Sequence, residues 1–448
     1  MKRDRGSEGV VDGGRAAARD GLLAQVEGHY DRFPYPDPRF VAAPDNPRAA
    51  LAALEWDVGR GRPPRFAEEM AIWVAGCGTL EATEVALRFP AARLLATDVS
   101  RTTLEQAEAI ARSAGVDRRI EFLRHDLSTP LGGEAQFAYI DCIGVLHHLP
   151  EPERGLETLA RALHPDGVLD LMVYQEGHRR IYLAFRQALA LLAGGSSGEE
   201  RVALAVRLAR ELGRSPRGAA SVRQVLRELA EQAGSRPSAF ADTLLHPHEH
   251  TYTPRRIVEL AARAGFAMAG LAYPHLWEPA LYLQEEGLVR RLHELPLLER
   301  AEVLSLLLGE AAPYLDLFLA HAGAPPPVQP DDAALRQGRV EPHGPWRRLE
   351  LAPDLAVQQE LLLGPETTEE GALIVRTGRG ASRLPPEAAT LLGLVGRGVQ
   401  VAALLRRLSA SAADEAAALR FLRQLLGPAA RLLVFSAPPL PGGQGEPP

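Results

Sequence analysis

The chain has 448 residues, 46% of them hydrophobic and 24% charged, with a formal net charge of −7 at pH 7. That length exceeds one ordinary core and sets two or three domains as the expectation. The acidic balance makes nucleic acid an unlikely partner, two cysteines cannot build a disulfide framework, and no run of about 18 apolar residues reads as a membrane span.

Residues 1–20 lack the apolar centre of a signal peptide and read as a disordered lead-in. With the sparse cysteines, this points to a cytoplasmic protein. From Gly21 a short amphipathic helix leads into "HYDRFPYPDPRF", whose three prolines predict an extended, aromatic-studded arm. Between Glu69 and Tyr174, apolar runs alternate with helical patterns. The predicted strands are "AIWVAG", "ARLLATD", "IEFLRHD", "FAYIDCIG" and "GVLDLMVY", which implies a parallel sheet with right-handed crossovers.

Eleven arginines against five glutamates lie between His178 and Pro237, in a segment of helical spacing that predicts a helical lid inserted on the sheet. Ser221 with Gln224 fits a capping box there. A further helix is signalled by Thr253 as cap, Pro254 in the first turn and Gly265 past the end. A helical hairpin is expected from Glu286 to His321.

Residues 325–348 form a Pro-rich linker, 349–437 a small α+β module, and 438–448 a disordered tail. The fold class is therefore α/β: a Rossmann-like doubly wound core over 21–177, and a helical lid over 178–324 that also completes the core. If the linker separates two cores, truncation at residue 330 should leave ligand binding intact.

The run from Ala71 to Ser100, "AIWVAGCGTLEATEVALRFPAARLLATDVS", places a Gly-Cys-Gly turn after one strand and Asp98 at the end of the next, 22 residues past Gly76 (98 − 76). Glycines at 76 and 78 admit close backbone approach, and a carboxylate at that spacing suits ribose hydroxyls. A dinucleotide fingerprint wants a third glycine at 81, where this chain has Glu81. A carboxylate at a helix N-terminus repels phosphate, which favours a nucleoside cofactor without phosphates over a nicotinamide dinucleotide.

In order, "VAGCGT", "ATDVS", "EFLRHDLS" and "GVLHHLPEP" resemble the motifs of class I S-adenosylmethionine-dependent methyltransferases, and within them a bacterial group with "aGCGTG" and "GVLHHL" motifs. The resemblance spans roughly residues 30–270. It implies that Ala75, Gly76, Cys77 and Gly78 flank the methionine portion of the cofactor. Asp98 would hold the ribose and Val99 would pack on adenine. Asp126 and Leu127 would face the adenine edge, and Ile143 and Gly144 would line the methionine end. Leu80 stands where that group has a third glycine. Tyr30 and Tyr35 would close over the cofactor, as N-terminal aromatic segments do in many such enzymes.

His147, His148 and Tyr174, at the ends of the fourth and fifth strands, are the candidate catalytic or rim residues. The "LLHPHEHTYTP" stretch supplies His246, His250 and Tyr252 as candidate acceptor contacts. Its histidines also permit a metal-ligand reading, but methyl transfer needs no metal and none is assigned.

The region after 349 weakly resembles winged-helix modules that capture peptides, with a dimerisation appendage as the alternative. The implied activity is methyl transfer to a small-molecule, peptide or protein acceptor. The competing readings are a non-catalytic cofactor-binding scaffold and a nicotinamide-dependent oxidoreductase.

Overall fold

The computed structural model describes residues 7–58, 70–195, 198–217, 219–272, 277–309, 314–324, 330–368, 373–377, 380–384, 386–409, 415–426 and 433–436. Its centre is a seven-stranded sheet. The strands are β1 (Ala71–Ala75), β2 (Arg93–Asp98), β3 (Ile120–Arg124), β4 (Phe137–Ile143), β5 (Leu163–Tyr174), β6 (Phe266–Leu271) and β7 (Tyr314–His321). They lie in the order β3-β2-β1-β4-β5-β7-β6, parallel except for β7, which runs antiparallel to both neighbours.

The unbroken apolar runs follow from burial on both faces. Along β1, Ile72 and Val74 pack with Val85 and Leu104 of the helices Glu81–Arg88 and Arg101–Ser113. Trp73 and Ala75 point the other way, into a cluster with Leu156 and Ile257 of the helices Pro152–Ala162 and Pro254–Arg263. The indole of Trp73, fully buried, satisfies its single donor on Thr97 Oγ1 at 2.9 Å.

The five predicted strands all form, and the sheet gains two more. The expected hairpin over 286–321 is corrected: helices occupy Glu286–His293 and Leu297–Leu307, and "YLDLFLAH" is β7. An apolar run buried on both sides has no amphipathic period, so pattern alone does not separate strand from helix. Four helices, Glu176–Ala193, Gly198–Arg214, Ala220–Ser235 and Pro237–Leu245, make the inserted lid around a small core containing Leu189, Leu226 and Phe240. Ser221 lies inside the third of these helices, whose cap is Ala219, so the expected capping box is absent.

The N-terminal lead-in and the assigned linker depart from expectation. The N-terminal helix begins at Ser7 and runs to Arg32, so residues 7–20, expected to be disordered, are helical. The stretch assigned as linker carries the helix Asp332–Gln337, the strand Arg339–Pro342 and the start of the strand Trp346–Leu351. That last strand pairs with Phe40–Pro44 of the N-terminal arm on one side and with Val357–Leu363 on the other. Val41, Ile110 and Leu349 share one buried cluster across the join.

The C-terminal unit therefore begins near residue 332. It has its own core, including Leu335, Leu404, Leu422 and Leu433, but it is stitched to the N-terminal half rather than hung from it. The expected tail, 438–448, lies outside the described residues. Among the described residues no helix is long and apolar enough to cross a membrane.

Candidate active site

Parallel strands present their carboxyl ends on one edge of the sheet, and the loops leaving β1, β2, β3 and β4 meet there. They surround a cavity of about 530 Å³, within the range of small-molecule sites. The N–H groups of Gly76 and Cys77 both donate to Thr97 O at 2.8 Å, folding the first loop onto β2. Gly76 and Gly78 have φ of +77° and +50°, and each lacks room for a side chain. A Cβ at Gly76 would stand 2.2 Å from Val145 Cγ2, and one at Gly78 would stand 2.7 Å from Tyr35 O. The second glycine thus makes way for the arm as much as for a ligand. Thr79 fastens the arm further, donating from its N–H to Tyr35 O (3.0 Å) and from its hydroxyl to Pro36 O (2.6 Å).

Asp98 closes β2. Its carboxylate accepts from the N–H groups of Gly78 (3.1 Å) and Ser100 (2.9 Å) and faces the cavity. Burial pushes its pKa up to about 6, with Asp31 adding to the rise against the opposing backbone N–H groups. Val99, Asp126, Leu127, Ile143 and Gly144 also line the cavity, Asp126 being fixed by Ser128. Cys77 lines it as a buried thiol whose pKa is raised by desolvation. Ala75 does not: it is fully buried within β1 and backs the loop.

Tyr30, at the end of the N-terminal helix, and Tyr35 form part of the wall, joined by Leu23 and Val26. The Tyr30 hydroxyl donates to Asp242 Oδ1 and the Tyr174 hydroxyl to Asp242 Oδ2, both at 2.9 Å. His148 lies beside them, its Nε2 3.8 Å from Asp242 Oδ1. Its Nδ1 is 3.1 Å from His248 O; a carbonyl only accepts, so Nδ1 carries the proton and Nε2 keeps its lone pair. Desolvation pulls the His148 pKa down to about 4, leaving the ring neutral at pH 7.

His147 is fully buried, stacked on Tyr174 with ring centroids 3.9 Å apart, and does not reach the cavity. The three acceptor candidates brace the wall instead of forming it. His246 stacks on His148 at 3.7 Å, His250 donates from its N–H to His147 O, and Tyr252 pairs its backbone with Tyr174 and Glu176. Between them, fully buried Glu249 binds Arg179 through both carboxylate oxygens and Arg186 through one. Among the described residues no set of three or more His, Cys, Asp or Glu side chains is placed to hold a metal ion.

Sequence reasoning missed Asp242, Tyr314 and Asp316, all on the cavity. Register places Met172 beside Asp316 and Tyr174 beside Tyr314, so antiparallel β7 starts at the same edge where β5 ends. The available signal was a single carboxylate in each of two apolar stretches, "PSAFADTLL" and "YLDLFLAH".

The lining fits S-adenosylmethionine and not a diphosphate. Glu81 and Glu84 stand with Leu80 at the first helix, where a pyrophosphate would need N–H donors, while carboxylates suit a positively charged sulfur. Residues 73–169 match the family model described as a methyltransferase domain. PKMT2 from Rickettsia typhi is similar in fold, at 13% identity and a TM-score of 0.58 over 90% of this chain and 76% of that one. Its complex with AdoHcy gives 14% identity and 0.59 over 90% and 77%.

The fold is that of the class I methyltransferases, and residues 73–169 form its methyltransferase domain. More narrowly, the chain belongs to the same family as Uncharacterized protein syc1184_c of Synechococcus sp., to which it is 30% identical over 315 residues, 69% of this chain and 74% of that one.

Proposed function

We propose that this protein transfers a methyl group from S-adenosylmethionine to an acceptor, either a peptide or protein side chain or a specialised metabolite, bound between the lid and the start of β7. The observation that carries the reading is Asp98: a part-buried carboxylate at the end of β2, facing one cavity with the Gly76–Gly78 loop. When bound, the cofactor supplies a methyl group on a cationic sulfur, and transfer leaves the carbon–sulfur electron pair on sulfur.

The chain's own residues hold, align and enclose. Asp98 accepts from ribose hydroxyls, Val99 and Leu127 pack against adenine, and the loops at Gly76–Gly78 and Ile143–Gly144 flank the methionine portion. The arm from Tyr30 to Phe40 excludes water, which strengthens each polar contact inside. His148 Nε2 is placed to take a proton from an acceptor that must lose one. Tyr174 is not a base, because burial and Asp242 raise its pKa well above the usual phenol value.

The test is calorimetry with S-adenosylhomocysteine and with NAD. The reading expects binding of the first alone, and NAD binding without S-adenosylhomocysteine binding would overturn it.

A further inference from the structure

The acceptor end of the cavity has an uneven hydrogen-bonding character. Four tyrosines, Tyr30, Tyr35, Tyr174 and Tyr314, share it with the carboxylates of Asp242 and Asp316 and with His148. Its donors are largely spent: the hydroxyls of Tyr30 and Tyr174 already donate to Asp242, and the His148 N–H is turned to the His248 carbonyl. What faces inward is carboxylate oxygen, an imidazole lone pair and aromatic surface.

The two arginines that line the cavity, Arg39 and Arg236, are exposed residues at its rim, and Arg39 is bound to the Ser235 carbonyl. Arg179 and Arg186 feel the charge of Asp242, but both are held behind the wall by Glu249. A carboxylate or phosphate acceptor would face the carboxylates of Asp242 and Asp316, with the hydroxyls of Tyr35 and Tyr314 as the remaining side-chain donors of this group. An ammonium group brings three donors and a charge that carboxylates attract.

We infer that the methyl acceptor is an amine, received as its ammonium form by Asp242 between Tyr30 and Tyr174. The inference rests on the methyltransferase reading above. The nitrogen, held at Asp242, gives one proton to His148 Nε2, 3.8 Å from Asp242 Oδ1, and from there the proton leaves to water at the mouth by half-exposed Tyr314. The nitrogen's lone pair then forms the bond to the methyl carbon, and the product leaves as a methylated ammonium, with one proton released overall.

The experiment titrates the full-length protein, loaded with S-adenosylhomocysteine, with n-butylammonium, n-butyrate and n-butanol, followed by saturation-transfer NMR. The expected result is at least tenfold tighter binding of n-butylammonium than of the other two. Transfer should come from tyrosine ring protons and vanish when those rings are deuterated. Asp242→Asn should abolish the preference. Equal or tighter binding of butyrate or butanol overturns the inference, as does transfer that survives ring deuteration or an undiminished preference in a folded D242N variant.

If D242N does not fold, the ring-deuterated wild type decides. An acetylated, amidated Gly-Lys-Gly peptide separates sources: tighter binding than n-butylammonium marks a side-chain amine, and exclusion marks a small one. Ammonium preference without S-adenosylhomocysteine binding would keep this assignment and remove the methyltransferase reading, while the reverse pattern would do the opposite.

Discussion

Replacing Asp98 with alanine tests the cofactor corner most directly. Each carboxylate oxygen accepts one backbone N–H, from Gly78 at 3.1 Å and from Ser100 at 2.9 Å, and an ionised carboxylate retains further lone pairs for ribose hydroxyls. Losing a charged hydrogen-bond partner costs about 1.5–3 kcal/mol, which is a roughly 10- to 150-fold rise in Kd. Calorimetric titration with S-adenosylhomocysteine at pH 7.5 measures that change, and a urea melt confirms that the variant folds. The wild-type affinity carries a pH signature as well. The Asp98 pKa is raised to about 6, so the group is an ionised acceptor at pH 7.5 and loses that capacity as pH falls through about 6. Wild-type affinity should fall across that window, and the variant's should be flatter. For the free protein the sign is reversed: the folded state takes up this proton before the unfolded chain does, so stability declines as pH rises from about 4 to about 6. A folded D98A protein with wild-type affinity would remove Asp98 from the site.

Gly78→Ala forces a Cβ to within 2.7 Å of Tyr35 O at a positive φ, so it should displace the arm and weaken S-adenosylhomocysteine binding at least tenfold; a crystal structure with the arm unmoved would contradict this. Glu249→Gln leaves Arg179 and Arg186 without their buried counter-charge and should cost about 3–5 kcal/mol in urea unfolding. A loss below about 1 kcal/mol would show that the pair is not acting as a buried ion pair. Deleting residues 330–448 removes the strand that carries Phe40–Pro44 and should weaken cofactor binding, contrary to the expectation from a separating linker. Calorimetry on the truncated chain decides that point.

Much of the sheet was legible because β1 to β5 are apolar runs separated by turn and cap signals, and a parallel sheet brings their carboxyl ends together by topology alone. Asp98 and Gly76 could be placed from sequence for that reason, while Gly144 came with the resemblance. Asp242 and Asp316 could not, because their positions depend on where a lid helix and an antiparallel strand dock, which no local period encodes. The "HPHEHTY" stretch misled in the opposite direction. Its polar residues suggested an acceptor site, but the fold pairs His248 with His250, binds Glu249 to Arg179 and Arg186, and packs His246 on His148. The prolines at 325–348 suggested a spacer, yet an antiparallel partner supplied some 300 residues earlier turned part of it into sheet.

That pairing has a consequence for how the protein is made. The arm over the ligand cleft gains its partner only from Trp346–Leu351, some 300 residues later in the chain. A nascent chain can wind the first five strands of the central sheet while still attached to the ribosome, but its lid-side wall stays unfinished until β7 emerges, and its roof stays loose until residue 351 clears the exit tunnel.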